Sequence, residues 1–209
     1  MKTIMGIYTD YGIPENLQLH MLRVTACAKL IVDNWKGKEL MTDKLYRVLL
    51  LHDMGNIVKI NPTEVQDKVF IANRERYVSL FGIDDHKVSQ AIGYELGLDE
   101  LELEWMNSKI FINNDNIINL DNYEIKIGAY CDQRVAPDGV MPLLERLNEA
   151  KDRYKDKPGS SMNNPKTDYL IHCAVLIETE IMQITSIKSD EINDISIQKN
   201  MDFFRGYVI

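Results

Sequence analysis

The chain has 209 residues and a net charge of −8, with 45% hydrophobic and 27% charged side chains. That is the balance of an ordinary globular protein able to bury a sizeable core. The acidic excess excludes a general nucleic-acid or anionic-membrane binder, and no apolar run approaches a membrane span or a signal-peptide core.

Residues 1–13 hold Tyr8, Tyr11 and two glycines without a clear period, and read as a loose arm. Pro14-Glu15-Asn16 starts a helix. Its stripe is His20, Val24, Cys27 and Ile31, at steps of four, three and four, which puts His20 on the buried side. Trp35-Lys36-Gly37-Lys38 closes it. Thr42 or Asp43 caps the next helix, in which Leu45, Val48, Leu49 and His52 share a face; Gly55 and Asn56 loosen the chain beyond. After the loop Asn61-Pro62-Thr63-Glu64, a mixed helix runs from Val65 to Leu80, with Arg74 and Arg76 on a solvated face, and Gly82 breaks it. Asp84 caps a helix from about Asp85 to Leu96, closed by Gly97, with His86 in its first turn. Residues 99–111 give another helix around Trp105, and Asn113-Asn114-Asp115-Asn116 a turn or exposed loop.

Asn122 or Tyr123 opens a helix in which Ile125, Gly128 and Asp132 repeat at three and four, so Asp132 faces inward. Ala136-Pro137-Asp138-Gly139 ends it. Pro142 to Tyr154 is a short charged helix. Residues 155–166, with two prolines, Gly159 and two serines, read as a mobile surface loop. A long helix from Asp168 to about Ile187 follows, with His172 as a packed core histidine and Glu178 and Glu180 structural or exposed. Residues 195–209 are a tail with a short helix near Met201-Asp202-Phe203-Phe204. With no repeat and almost no strand alternation, the expected fold is all-α. Cys27, Cys131 and Cys173 are widely spaced, without a C-x-x-C pair, and read as reduced, packed thiols of a cytoplasmic protein.

The chemistry concentrates at Leu49-Leu50-Leu51-His52-Asp53-Met54-Gly55-Asn56. An apolar run ending in adjacent titratable groups must pair or metallate them, because lone buried charge is costly. A His-Asp pair capping a buried helix without metal is the plain alternative. His20, His52, Asp53 and Asp132 each lie on an apolar helix face, on three different helices, as in sites built between bundle helices. Two imidazoles and two carboxylates suit one divalent ion (Mn, Fe, Co, Ni, Zn or Mg) with positions left for water and substrate.

The order His … His-Asp … Asp on successive helices resembles the HD domain of metal-dependent phosphohydrolases. The segment Asn16 to Val24, the Leu-Leu-His-Asp-Met-Gly block and Ala-Tyr-Cys-Asp-Gln-Arg carry the likeness, over about residues 14–150. It implies one HD-type helical domain over residues 1–209, with a C-terminal helical extension over 166–209. It also implies metal ligation by His20, His52, Asp53 and Asp132, and hydrolysis of a phosphate ester of a small metabolite or nucleotide. Asp53 would help accept the proton of water, and His86 would donate to phosphate or leaving group, unless it is merely a solvated helix-start residue. Lys59 and Arg134 are the candidates for holding phosphate, or are surface ion-pair residues. Two departures stand out: many members follow the glycine with a phosphate-contacting lysine, where this chain has Asn56. Two-metal members carry further histidines before the last aspartate, where this chain has only His86, so a single ion is expected with His86 in its outer reach. The partner implied is a small phosphorylated substrate, with no nucleic acid and no membrane, and a homodimer is left open. The alternatives are a catalytically weakened metal- or nucleotide-binding regulatory module, and a structural domain whose four polar residues bond one another without metal.

Overall fold

Apolar spacing of three and four residues recurs along the chain, and helix follows helix accordingly. A computed structural model describes residues 1–157, 160 and 162–209. Its helices are α1 (Ile4–Tyr11), α2 (Glu15–Asp33), α3 (Thr42–Leu51), α4 (Lys68–Phe81), α5 (Asp85–Glu95), α6 (Glu100–Ser108), α7 (Asn114–Ile117), α8 (Tyr123–Arg134), α9 (Leu143–Tyr154), α10 (Thr167–Ile184) and α11 (Asp194–Arg205). Short 3-10 turns lie between them, among them Met54–Lys59 directly after α3. Strands β1 (Val135–Ala136) and β2 (Gly139–Val140) form one antiparallel hairpin, with Val135 opposite Val140. The fold is all-α, as expected. No helix among the described residues is long and apolar enough to cross a membrane.

Helix α2 is the centre. From Met21 to Ala28 all but Arg23 are buried, the signature of a helix enclosed on every side, and α3, α8 and α11 pack against it. Helix α8 is buried along most of its length. Its start is set by Asn122, whose side chain accepts from the Ile125 N–H at 2.8 Å. These buried faces bring the C-terminal ends of α3 and α8 to one point beside α2.

Gly55 lets α5 approach. A Cβ at Gly55 would collide with the Asp85 carbonyl and stand 2.5 Å from the Ser89 nitrogen, while the Gly55 N–H donates to Ser89 Oγ at 3.0 Å. The start of α5, with His86, therefore seats on the turn that follows His52 and Asp53.

Several expectations are corrected. The expected loose arm is helix α1: Thr3 Oγ1 caps the Gly6 N–H, and Gly12 ends the helix at φ 64°. Only three residues of α1 are buried, too few for a visible period, yet Tyr8 donates to the Leu50 carbonyl at 2.7 Å. The expected C-terminal tail is helix α11, capped by Asn193 and burying Ile197, Asn200, Met201 and Phe204 against α2. Beyond α11, Ile4 N–H donates to the Tyr207 carbonyl at 2.8 Å and Ile209 N–H to that of Lys2 at 3.0 Å, tying the two ends together. The expected Asn113–Asn116 loop holds α7, where fully buried Asn114 exchanges side-chain hydrogen bonds with Gln133 at 2.9 and 3.0 Å. His172, expected in the core, is exposed on α10. The three cysteines are free and buried, and burial pushes the Cys27 thiol up to about 12. Pro158, Gly159 and Ser161 of the expected 155–166 loop lie outside the described residues.

Candidate metal centre

His20 comes from the middle of α2, and Asp132 from the last turn of α8. His52 is the residue on which α3 ends, and Asp53 follows it, past the helix, at φ −111°. His20 Nε2 lies 3.1 Å from Asp132 Oδ1 and 3.5 Å from Asp53 Oδ2. His52 Nε2 lies 3.3 Å from Asp132 Oδ1 and 3.6 Å from Asp53 Oδ1. The two imidazole centroids are 5.4 Å apart. One ligand atom each from His20, His52 and Asp53 falls within 4.8 Å of the others, close enough to share an ion. All four residues singled out in the sequence meet.

The state of His52 is decided by its other nitrogen. Nδ1 is 2.7 Å from the Leu49 carbonyl, an acceptor only, so Nδ1 carries the proton and donates it. With Nδ1 so held, Nε2 is the ring nitrogen turned to the cluster. That Nε2 is sealed from solvent and has no hydrogen-bond partner. It faces two carboxylate oxygens. A buried ring nitrogen set among carboxylates can be satisfied by a cation, and a divalent ion with nitrogen and oxygen ligands fits the donor set.

Asp132 divides its two oxygens. Oδ1 faces the imidazoles, and Oδ2 accepts from the buried Lys109 ammonium at 2.7 Å. Burial works to raise the Asp132 carboxyl, but Lys109 and the two imidazoles outweigh it and hold the group well below the usual carboxylate range. Burial would likewise lower His20, yet its hydrogen bond to Asp132 and the charges of Asp53 and Asp132 lift it above the ordinary imidazole value.

The four residues open onto a cavity of about 260 Å³, which is also lined by His86, Lys109 and Arg146. His86 thus shares a cavity with the four residues. Lys59 does not: its ammonium pairs with Asp85 at 2.6 Å, half exposed and outside the cavity lining. Arg134 is buried elsewhere, donating to Tyr130 Oη, the Ser189 carbonyl and the Ile192 carbonyl at 2.7–2.9 Å. The basic groups of the cavity are instead Lys109 and Arg146, which sequence reasoning passed over. Arg146 did carry a signal, since it lies three residues after buried Leu143 and one before buried Leu147, at the edge of the apolar stripe. Lys109 carried none that separates it from a solvated lysine at a helix end.

No family model, curated protein or solved structure matches this chain. The likeness to HD domains therefore rests on the order and chemistry of His20, His52, Asp53 and Asp132.

Proposed function

We propose that the chain is a metal-dependent phosphohydrolase of the HD type, acting on a phosphate ester of a small metabolite or nucleotide. The observation that carries the reading is the buried Nε2 of His52, oriented by the Leu49 carbonyl and lacking a hydrogen-bond partner, beside His20, Asp53 and Asp132. Such a set would hold one divalent ion, and the chemistry that ion supplies when bound is to acidify water and offset charge on a phosphoryl oxygen.

The chain's own residues supply the rest. Lys109 fixes Asp132 through Oδ2, so the carboxylate offers the ion its Oδ1 alone. Among the described residues no lysine or arginine pairs with Asp53, which makes it the carboxylate free to accept a proton from water. His86 has no hydrogen-bond partner among the described residues, and from the cavity wall it can give a proton to the leaving oxygen.

The test is elemental analysis of purified protein, followed by a phosphatase and phosphodiesterase panel with added manganese, cobalt or nickel. One ion per chain and turnover of a phosphate ester are expected. A chain that binds no divalent metal under any of these conditions refutes the reading. The turned-away Lys59 favours a second reading, a metal-binding module without turnover; a metal-loaded protein silent on the whole panel would select it.

A further inference from the structure

We propose that Lys109 and Arg146 form an oxyanion-binding half of the cavity, built for a dianionic phosphate monoester, with Lys109 joining Asp132 to the bound phosphoryl group. The inference rests on the metal-centre reading above and adds the substrate class.

The Lys109 side chain is 4% exposed. A buried ammonium is costly unless its donors are satisfied. It has three of them, and the bond to Asp132 Oδ2 at 2.7 Å uses one. Because Lys109 lines the cavity, the remaining N–H groups have the cavity as their outlet. Its position also works against metal binding, since an ammonium on Asp132 competes with an ion for the same carboxylate. A group that weakens the cation site yet sits buried within it is accounted for by the anion it helps to hold.

Arg146 lines the same cavity. Its Nε donates to the Val135 carbonyl at 3.3 Å and its Nη1 to Glu149 at 3.0 Å, and Nη2 has no partner among the described residues. Those two bonds orient the guanidinium and leave one amino group for a ligand oxygen, in the planar geometry that suits phosphate.

Charge then selects the ligand. Asp53 and Asp132 are offset by Lys109 and Arg146, and Glu149 beside Arg146 is offset by Arg153 at 3.1 Å, so a divalent ion leaves the cavity with two positive charges. A phosphate monoester dianion neutralises it, whereas a diester monoanion leaves one charge unmet. Lys59, the lysine nearest the His-Asp pair in sequence, is bound to Asp85, and the cationic role passes to residues from α9 and the end of α6.

The experiment is calorimetric titration at pH 8 of inorganic phosphate, methyl phosphate and dimethyl phosphate into manganese-loaded protein, with manganese titrated separately into metal-stripped protein. Wild type should bind phosphate and methyl phosphate, and dimethyl phosphate at least tenfold more weakly. Lys109→Met should weaken phosphate at least tenfold while binding manganese as tightly as wild type or more tightly. Loss of phosphate binding without loss of manganese binding is what a merely structural lysine would not give. Arg146→Gln, which alters a partly exposed side chain, is the second variant and should weaken phosphate at least threefold with manganese unchanged. Unchanged phosphate binding in both variants overturns the proposal and leaves the metal reading standing, as does a Lys109→Met protein that loses both ligands together. Equal binding of monoester and diester by wild type overturns the charge argument. Manganese-loaded wild type that binds none of the three overturns the proposal and the phosphohydrolase reading alike.

Discussion

The two carboxylates of the centre occupy different environments, and replacing each in turn separates architecture from ligation. Asp132 is the partner of a buried ammonium, Nζ to Oδ2 2.7 Å; Asp53 faces the two imidazoles, at 3.5 and 3.6 Å, and is 30% exposed. In metal-stripped protein, Asp132→Asn leaves Lys109 a carbonyl to donate to but no counter-charge. Breaking a buried ion pair by removing one partner costs about 3–5 kcal/mol, and the retained carbonyl puts this case near about 3. For a chain of this size one kcal/mol moves the melting temperature by about 2–4 °C, so a fall of about 6–12 °C is expected. Asp53→Ala removes a partly exposed group and relieves its repulsion with Asp132, so its stripped form should stay within about 1 kcal/mol of wild type. Manganese at one hundred times its dissociation constant should stabilise wild type by about 2.7 kcal/mol and both variants far less. The assay is thermal unfolding followed by circular dichroism, in chelator and then with metal. Equal melting temperatures for the two stripped variants, or a larger loss in Asp53→Ala, would refute the assignment of Lys109 and Asp132 as the buried pair.

Asp53→Ala should lower turnover by at least about a hundredfold together with bound metal, since metal activation of water supplies much of the rate; full activity at normal metal content would make the His-Asp pair architecture only. Gly55→Ala drives a methyl into the backbone of α5 at Asp85 and Ser89 and should cost about 1–3 kcal/mol in a denaturant titration; a neutral result would mean that α5 seats differently. Arg134→Met strips two hydrogen bonds from the C-terminal segment and one from Tyr130 and should unfold the chain at markedly lower denaturant. Lys59→Ala breaks only a half-exposed pair and should shift stability by less than about 1 kcal/mol, with turnover unchanged; loss of turnover on that change would return Lys59 to the site. His86→Ala should keep wild-type metal content and lower turnover by about 10²-fold or more, steepest for substrates with poor leaving groups, and an equal loss for all leaving groups would remove its donor role.

What the sequence disclosed follows from how far each signal reaches. Stripes at three and four located α2, α3 and α8 because those helices bury long faces, the same stripes turned His20 and Asp132 inward, and α5 was marked by its cap Asp84 and by Gly97. Helix α1 escaped because it buries three residues in eight. Helix α11 is longer than the expected short segment, and Ile197, Met201 and Phe204, which repeat at four and three, carry its buried face. His172 was placed in the core because Leu170, Ile171 and Cys173 surround it, and all three are buried. One helical step is about 100°, so a residue amid buried neighbours in sequence can still point out. The basic residues show the same limit. Adjacency suggested Lys59 and Arg134, whereas Lys109 and Arg146 reach the cavity through packing between helices distant in the chain.

The run Cys131-Asp132-Gln133-Arg134 shows how little of such a motif is chemistry. Successive residues on α8 point in four directions, and each has a different task. Cys131 is fully buried in the core. Asp132 enters the centre. Gln133 lines the cavity but spends its amide on Asn114, which also donates to the Leu170 carbonyl of α10. Arg134 turns away to hold the carbonyls of Ser189 and Ile192, just before α11. A single helical turn therefore fixes the position of Asp132 from three sides, through the core, through α7 and α10, and through the segment that leads into α11. Since α11 packs on α2, which carries His20, the C-terminal helix braces both ends of the 3.1 Å contact between His20 and Asp132. The C-terminal segment is thus structural support for the centre, though none of its side chains lines the cavity.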